Sequence, residues 1–222
     1  GNKMKRNSIT QEYYTLMITK DGVMPPMNKE KAAAGLVAAG FLDLLSQEII
    51  VIEKKKILVK EELPEELKYL ETLYQYLRKT PRTIHMMMSV FSIGVRNRQL
   101  AEDIGKSLLE KGLATYDKGI LFAPKNLYVP EKTYKEELVT AVRAVVNGTD
   151  EMEIHDILLL HILKVSKCLN QYFSKYEKER LSARIKEIRK NPQNRQVEKM
   201  ILYVTDITNY VTFAVVAAVG MG

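Results

Sequence analysis

The chain has 222 residues, of which 46% are hydrophobic and 27% are charged, so it can bury a core and is not a disordered chain. A formal net charge of +7 favours anionic partners, namely nucleic acid, anionic lipid or acidic protein. A single cysteine, Cys168, excludes an intramolecular disulfide framework and a cysteine-based zinc site, and suits a reducing, cytoplasmic compartment.

The first part of the chain predicts two helices separated by a proline break. A short basic lead, residues 1–8, precedes Thr10, which is a candidate N-cap for the first helix. Asp21-Gly22 ends that helix, and Pro25-Pro26 forms the break. Asn28 can cap the second helix, whose alanines and glycines permit close packing against a neighbour.

Residues 49–60 predict a β-hairpin, because two β-branched runs flank a charged turn at Glu53–Lys56. Helices follow from Pro64 to residue 80, over 84–91 and over 96–111. Gly112 ends the last of these as a C′ glycine. A second hairpin is predicted at Asp117–Gly119, between Leu113–Tyr116 and Ile120–Ala123.

From Glu131 onward the apolar pattern is helical, with one long helix over 154–173 and a break at Asn191-Pro192. Residues 175–199 carry nine basic and four acidic side chains, and we interpret them as a solvated basic helix. The apolar run 210–222 is too short to span a bilayer, so it predicts a buried C-terminal helix. The predicted fold is mainly α, a single helix-bundle-like domain over 9–222 with two small β-hairpins.

The residue patterns favour no catalysis, no metal and no cofactor. His155 and His161 are six residues apart, which places them on opposite faces of a helix and predicts structural roles. A nucleophile elbow, a P-loop and a dinucleotide fingerprint are all missing from the sequence. Cys168 is expected to be a buried thiol.

Several sequence features occur, once each, in a characteristic order along almost the whole chain. They are ITQE at 9–12, AAGLVAAGFLDLL at 33–45, IIVIEKKKILV at 49–59, LLEKGLA at 108–114, ILF at 120–122, ERLSARIKEI at 179–188 and VTFAVVAAV at 211–219. In this order and spacing the sequence resembles the Golgi phosphoprotein 3 family, including its bacterial-type members. The resemblance implies a largely helical domain, no catalysis, and peripheral membrane association through phosphatidylinositol 4-phosphate.

The resemblance also implies a headgroup pocket. Eukaryotic members use a Trp and an Arg in the small-residue helix and two Arg spaced three apart before the Glu-Lys-Gly helix end. The corresponding positions here are Asn28, Val37, Arg98 and Ala101, so only Arg98 matches. Arg96 is an alternative, and Lys29 and Lys31 could supply charge near Asn28. The expectation is therefore a looser site for anionic phospholipid or another phosphorylated ligand.

The apolar strand of the second hairpin is the expected membrane or oligomer contact, through Ile120, Leu121 and Phe122. The alternative for this strand is packing on its own core, and the alternative for Arg98 is a salt bridge with Glu102. Two other functions stay open at this point. One is a winged-helix-like nucleic-acid binder, which the balanced charge of 96–111 disfavours. The other is an oligomeric adaptor that holds the tails of membrane enzymes.

Overall fold

The structure is a computed structural model that describes residues 4–117 and 128–220. In those residues it contains nine α-helices and two antiparallel two-stranded sheets, which confirms the mainly α class. The elements are α1 Ile9–Met17, α2 Lys29–Ser46, β1 Ile50–Glu53, β2 Lys56–Val59, α3 Glu71–Lys79, α4 Ile84–Phe91, α5 Val95–Glu110, β3 Ala114–Tyr116, β4 Tyr128–Pro130, α6 Lys132–Asn147, α7 Ile154–Val165, α8 Lys175–Lys190 and α9 Arg195–Gly220.

Helices α1 and α2 lie at the centre of the molecule, and every residue of α1 is buried. A Cβ at Gly35 would overlap the Tyr13 ring, so glycine allows the close approach of these two helices. The Tyr13 hydroxyl donates a hydrogen bond to the Ala32 carbonyl at 2.8 Å across the same contact. The small-residue pattern of α2 is therefore explained by helix packing.

The predicted N-cap of α1 is wrong by two residues. Ser8 is the N-cap, and its Oγ accepts from the Gln11 N–H at 3.1 Å. Thr10 lies inside the helix, where its N–H donates to Asp43 of α2 at 2.8 Å. Asp43 also accepts from the Ile9 N–H at 3.2 Å. A side chain of α2 thus shares the capping of α1, which local sequence does not reveal.

The first predicted hairpin is confirmed, and so is the first strand of the second. β1 pairs with β2 from Ile50 opposite Val59 to Glu53 opposite Lys56, and Lys54 and Lys55 form the turn with φ of 50° and 65°. β3 pairs with β4, so the described partner of 114–116 is Tyr128–Pro130. The strand predicted at Ile120–Ala123, with the contact residues Ile120, Leu121 and Phe122, lies outside the described residues.

The helix predicted over 154–173 is shorter than expected. α7 ends at Val165, and Lys167 adopts a left-handed φ of 64° that turns the chain. Cys168 follows this turn and is fully buried, as predicted.

The basic helix α8 is only partly solvated. Arg180 donates to the carbonyls of Val146 and Gly148 at 3.0 and 3.1 Å. Arg184 donates to the carbonyls of Val145 and Asp150, which lie at or just beyond the end of α6. Two of the arginines predicted to face solvent therefore cap the carbonyl end of α6, where cations offset the helix dipole.

The prediction of a buried C-terminal helix is wrong. α9 is a continuous helix of 26 residues, and its side chains beyond Val211 that the structure describes are exposed, with Val219 at 74%. Its earlier part packs on α2, with the Tyr203 and Phe41 rings 5.8 Å apart. Within Pro192–Gly220, an 18-residue stretch has a mean hydropathy of 1.5, so by length and composition alone this helix could cross a membrane, although 40% of that stretch is buried in the protein.

Candidate functional site

A cavity of about 710 Å³ opens where the first turns of α2 and α5 meet. The loop between α1 and α2 forms one side, and the turn between α4 and α5 forms the other. Tyr14 of α1 and Tyr128 of β4 also line it. The Tyr14 hydroxyl donates to the Tyr128 carbonyl at 2.7 Å, which joins α1 to β4. Burial raises the pKa of Tyr14, so its hydroxyl stays a neutral donor.

A glycine turn places the start of α5 at the cavity. Gly94 has a φ of 81°, a conformation that favours glycine, and α5 begins at the next residue. Asn97 is buried and donates to the Ala33 carbonyl at 3.1 Å and to the Phe91 carbonyl at 2.8 Å. These two bonds tie α5 to α2 and α4, so the geometry of the cavity wall is fixed.

The cavity combines cationic side chains with two helix N-termini. Lys29 and Arg98 line it, as do Glu30 and Glu102. Within the described residues, neither α2 nor α5 has a side-chain cap hydrogen bond at its N-terminus. Free first-turn N–H groups and the helix dipole favour an anion at such a place. In the described part of the chain no ion pair joins Arg98 to Glu102, so the guanidinium is not held by that neighbour.

The structure brings together only some of the sequence-predicted site residues. Lys29 and Arg98 both line the cavity, while Asn28, Lys31 and Arg96 are not part of its lining. Asn28 and Lys31 are half-buried, and Arg96 is exposed. Of the other two positions that the resemblance indicates, one lines the cavity and one does not. Ala101 lines the cavity next to Arg98, whereas Val37 is fully buried in the core.

Sequence reasoning missed the residues that shape the cavity, which are Tyr14, Ile93, Gly94 and Asn97. One local signal could have indicated two of them. Ile93 and Gly94 stand between two predicted helices, and a glycine directly before a helix is a plausible N-cap. Tyr14 and Asn97 depend on contacts between α1, α2 and α5, which the sequence pattern does not specify.

A second polar cluster is closed by its own contacts. The Glu12 carboxylate is buried and accepts from Arg6 twice at 2.8 Å and from the Asn7 N–H at 3.1 Å. His155 Nε2 lies 2.6 Å from it, and Arg6 also donates to Asp156 at 2.6 Å. Because every partner is internal, this Glu12 network serves folding by joining the N-terminal lead to α1 and α7. In the described ranges, no group of three or more metal-binding side chains occurs.

The charges of the Glu12 network support one another. Burial alone would raise the pKa of Glu12, but the hydrogen bonds from His155 and Arg6 outweigh it and lower this pKa. Burial would likewise lower the pKa of His155, but the hydrogen bond to Glu12 outweighs it and raises that pKa. His155 therefore has the structural role predicted from its spacing.

We expect His161→Leu to raise the free energy of unfolding by about 1–3 kcal/mol, because neither ring nitrogen has a hydrogen-bond partner among the described residues. Burial, with the charges of Lys164 and Arg189, lowers the pKa of His161 to about 4. Between pH 6.5 and that value the unfolded chain takes up a proton that the folded chain does not, so the gain from leucine grows as pH falls. Urea unfolding of both chains above and below pH 6.5 measures this gain in the free energy of unfolding.

The matched control is His85→Leu, because His85 is exposed. This variant removes an exposed imidazole and should not stabilise the protein as His161→Leu does. A His161→Leu gain that is independent of pH would contradict the assignment of a buried neutral imidazole.

Comparison with known proteins gives one family match. The model of the family described as Golgi phosphoprotein 3 (GPP34) matches residues 9–204, which is most of the chain and includes the whole cavity wall. A search of curated proteins finds no match.

Proposed function

The chain belongs to the Golgi phosphoprotein 3 family, and on that premise we propose that it is a non-enzymatic peripheral membrane protein that binds anionic lipid headgroups. The observation that supports this function best is the cavity at Lys29 and Arg98. Arg98 is the residue that matches the family's headgroup positions, and it lies where two uncapped helix N-termini meet. The bound group is a phosphate of an anionic phospholipid.

The donors differ in what they contribute to phosphate binding. Arg98 has a planar guanidinium that can give two parallel charge-assisted hydrogen bonds, whereas Lys29 supplies a point charge. The first-turn N–H groups of α2 and α5 add donors that need no side-chain ordering. Glu30 and Glu102 oppose an anion, and Ala101 stands at a second arginine position of the family. We therefore propose a looser site for anionic phospholipid, with phosphatidylinositol 4-phosphate as one ligand to test.

The charge of the rest of the surface favours the cavity over α8 as the anion site. Arg180 and Arg184 are engaged with backbone carbonyls of α6. Insertion of α5 into a DNA groove is disfavoured because the basic residues of this helix alternate with Glu102, Asp103 and Glu110. Homo-oligomer formation and capture of membrane-enzyme tails stay predictions of the resemblance, and a cytoplasmic location stays a prediction from the single cysteine.

The test is co-sedimentation with vesicles of phosphatidylcholine alone, with added phosphatidylserine, or with added phosphatidylinositol 4-phosphate. Arg98→Glu changes the local charge by two, at about 1 kcal/mol for each charge near an anionic surface, so it should weaken binding to anionic vesicles roughly 30-fold. Glu102→Gln removes one opposing charge and should strengthen binding roughly 5-fold. Binding of the unmodified chain should weaken as salt is added.

Arg78→Glu is the matched control, because Arg78 is exposed on α3 and does not line the cavity. Arg78→Glu should weaken binding to anionic vesicles much less than Arg98→Glu does. Equal binding of the unmodified chain to all three vesicles would refute a charge-driven site, and equal losses for Arg78→Glu and Arg98→Glu would refute the cavity as its location. Salt-dependent binding to duplex DNA without vesicle binding would favour the nucleic-acid alternative.

A further inference from the structure

Large apolar side chains stand in solvent around the mouth of the cavity. Met27, Ile93 and Val95 are 90%, 65% and 71% exposed. Ile93 lines the cavity itself, and Val95 follows Gly94, which also lines it. Met27 lies in the short turn between two other lining residues, Pro26 and Lys29. These three side chains, called the apolar rim below, therefore border the proposed anion site on two sides.

The backbone holds the apolar rim in place. On the α5 side, the left-handed turn at Gly94 directs the chain into the helix, and Asn97 fixes that helix to α2 and α4. On the α2 side, Met27 follows two prolines, and the turn is closed by the Asn28 N–H donating to the Pro25 carbonyl at 3.2 Å. Burial of these exposed apolar side chains against a partner would be favourable, and apolar side chains grouped around one opening mark an interaction surface.

We infer that the apolar rim enters the acyl-chain boundary of a lipid layer while the cavity holds the headgroup of one of its lipids. The inference rests on the proposed function and names the surface that contacts the lipid layer. A lipid layer presents phosphate and hydrocarbon next to one another, as the cavity and the rim require. A soluble phosphate would leave all three apolar side chains in water. Stable peripheral attachment also takes two signals, here charge and apolar contact.

The test separates headgroup recognition from membrane contact. The double variant Met27→Gln with Val95→Gln leaves every charge and every cavity-lining residue unchanged. It should weaken binding to anionic vesicles about fivefold or more, because two shallow apolar contacts are lost. Its affinity for the soluble headgroup of phosphatidylinositol 4-phosphate, measured by calorimetry, should stay within about twofold of the unmodified chain. The control Ile154→Gln with Leu202→Gln changes exposed apolar residues outside the cavity and should leave both affinities intact.

A direct readout is available because the chain contains no tryptophan. Ile93→Trp introduces a single fluorophore on the rim, which should shift to the blue on anionic vesicles and be quenched by lipids with brominated acyl chains. Emission that stays unshifted and unquenched on bound vesicles would overturn the inference.

The remaining outcomes are also decisive. Loss of vesicle binding with retained headgroup binding in the double variant supports the inference. Unchanged vesicle binding, or equal loss of both, overturns it and leaves the proposed function standing. An unmodified chain that binds the headgroup but no vesicle also overturns it, in favour of a soluble phosphate ligand. An unmodified chain that binds neither removes the proposed function, and the inference with it.

Discussion

Replacing Glu12 by alanine is expected to lower the free energy of unfolding by about 3–5 kcal/mol, because a half-buried guanidinium and an imidazolium then lose their common partner. The Glu12 carboxylate has no exposed surface, and Arg6 contacts both of its oxygens at 2.8 Å. His155 lies 2.6 Å from it. Chemical denaturation followed by circular dichroism measures the loss.

The chain offers a matched control for Glu12→Ala in Glu198. Arg189 contacts both oxygens of Glu198, at 2.6 and 3.0 Å, but both side chains are partly exposed, at 38% and 29%. Because solvent screens such a pair, Glu198→Ala should cost only about 0–1 kcal/mol. Equal losses for the two variants would show that burial does not strengthen the Arg6 contact.

The Glu12 network also sets a pH dependence that Glu12→Ala should abolish. The pKa of Glu12 is lowered, so its contribution is present above pH 4.5 and is lost as pH falls through the folded value. The pKa of His155 is raised, so its contribution is present below pH 6.5 and is lost as pH rises through the folded value. The network therefore stabilises the chain most between these two limits, and unfolding free energies across that range test it.

The elements that the sequence predicts well are those whose signals are local. The hairpin at 50–59 follows from two β-branched runs and a charged turn, and α4 has the bounds that its apolar pattern predicts. Elements set by distant contacts are predicted less well. The start of α1 depends partly on Asp43, more than thirty residues away, and α7 ends early at the left-handed Lys167. Apolar periodicity alone does not register either effect.

In the candidate site, too, some residues follow from the sequence and others depend on distant contacts. The sequence indicates both Lys29 and Arg98, since Arg98 occupies a family position and Lys29 lies next to one. Their shared cavity depends on Asn97 and Gly94, which join separate helices. Surface exposure is also not predictable from the sequence, because it depends on what packs against a segment. The end of α9 is apolar yet exposed, whereas Arg184 of the basic helix is engaged with backbone carbonyls.

Replacing Asp43 by alanine is expected to lower the free energy of unfolding by about 3–5 kcal/mol, because it leaves buried donors of α1 without an acceptor. Asp43 is 6% exposed, and the N–H groups of Ile9 and Thr10 donate to its two oxygens. The Thr10 hydroxyl donates to it as well. Thermal and urea unfolding of the variant measure the loss.

Two further variants separate this tertiary cap from an ordinary one. Asp43→Asn keeps one side-chain oxygen as an acceptor and should cost less, about 1–3 kcal/mol. Thr83→Ala removes the local cap of α4, in which Thr83 Oγ1 accepts from the Met86 N–H at 3.1 Å, and should cost about 1 kcal/mol. If Asp43→Ala costs no more than Thr83→Ala, the contact between α2 and the start of α1 is only a replaceable cap. A loss several times larger means that the α2 carboxylate fixes where the central helix begins, and through Tyr14 of that helix one wall of the cavity.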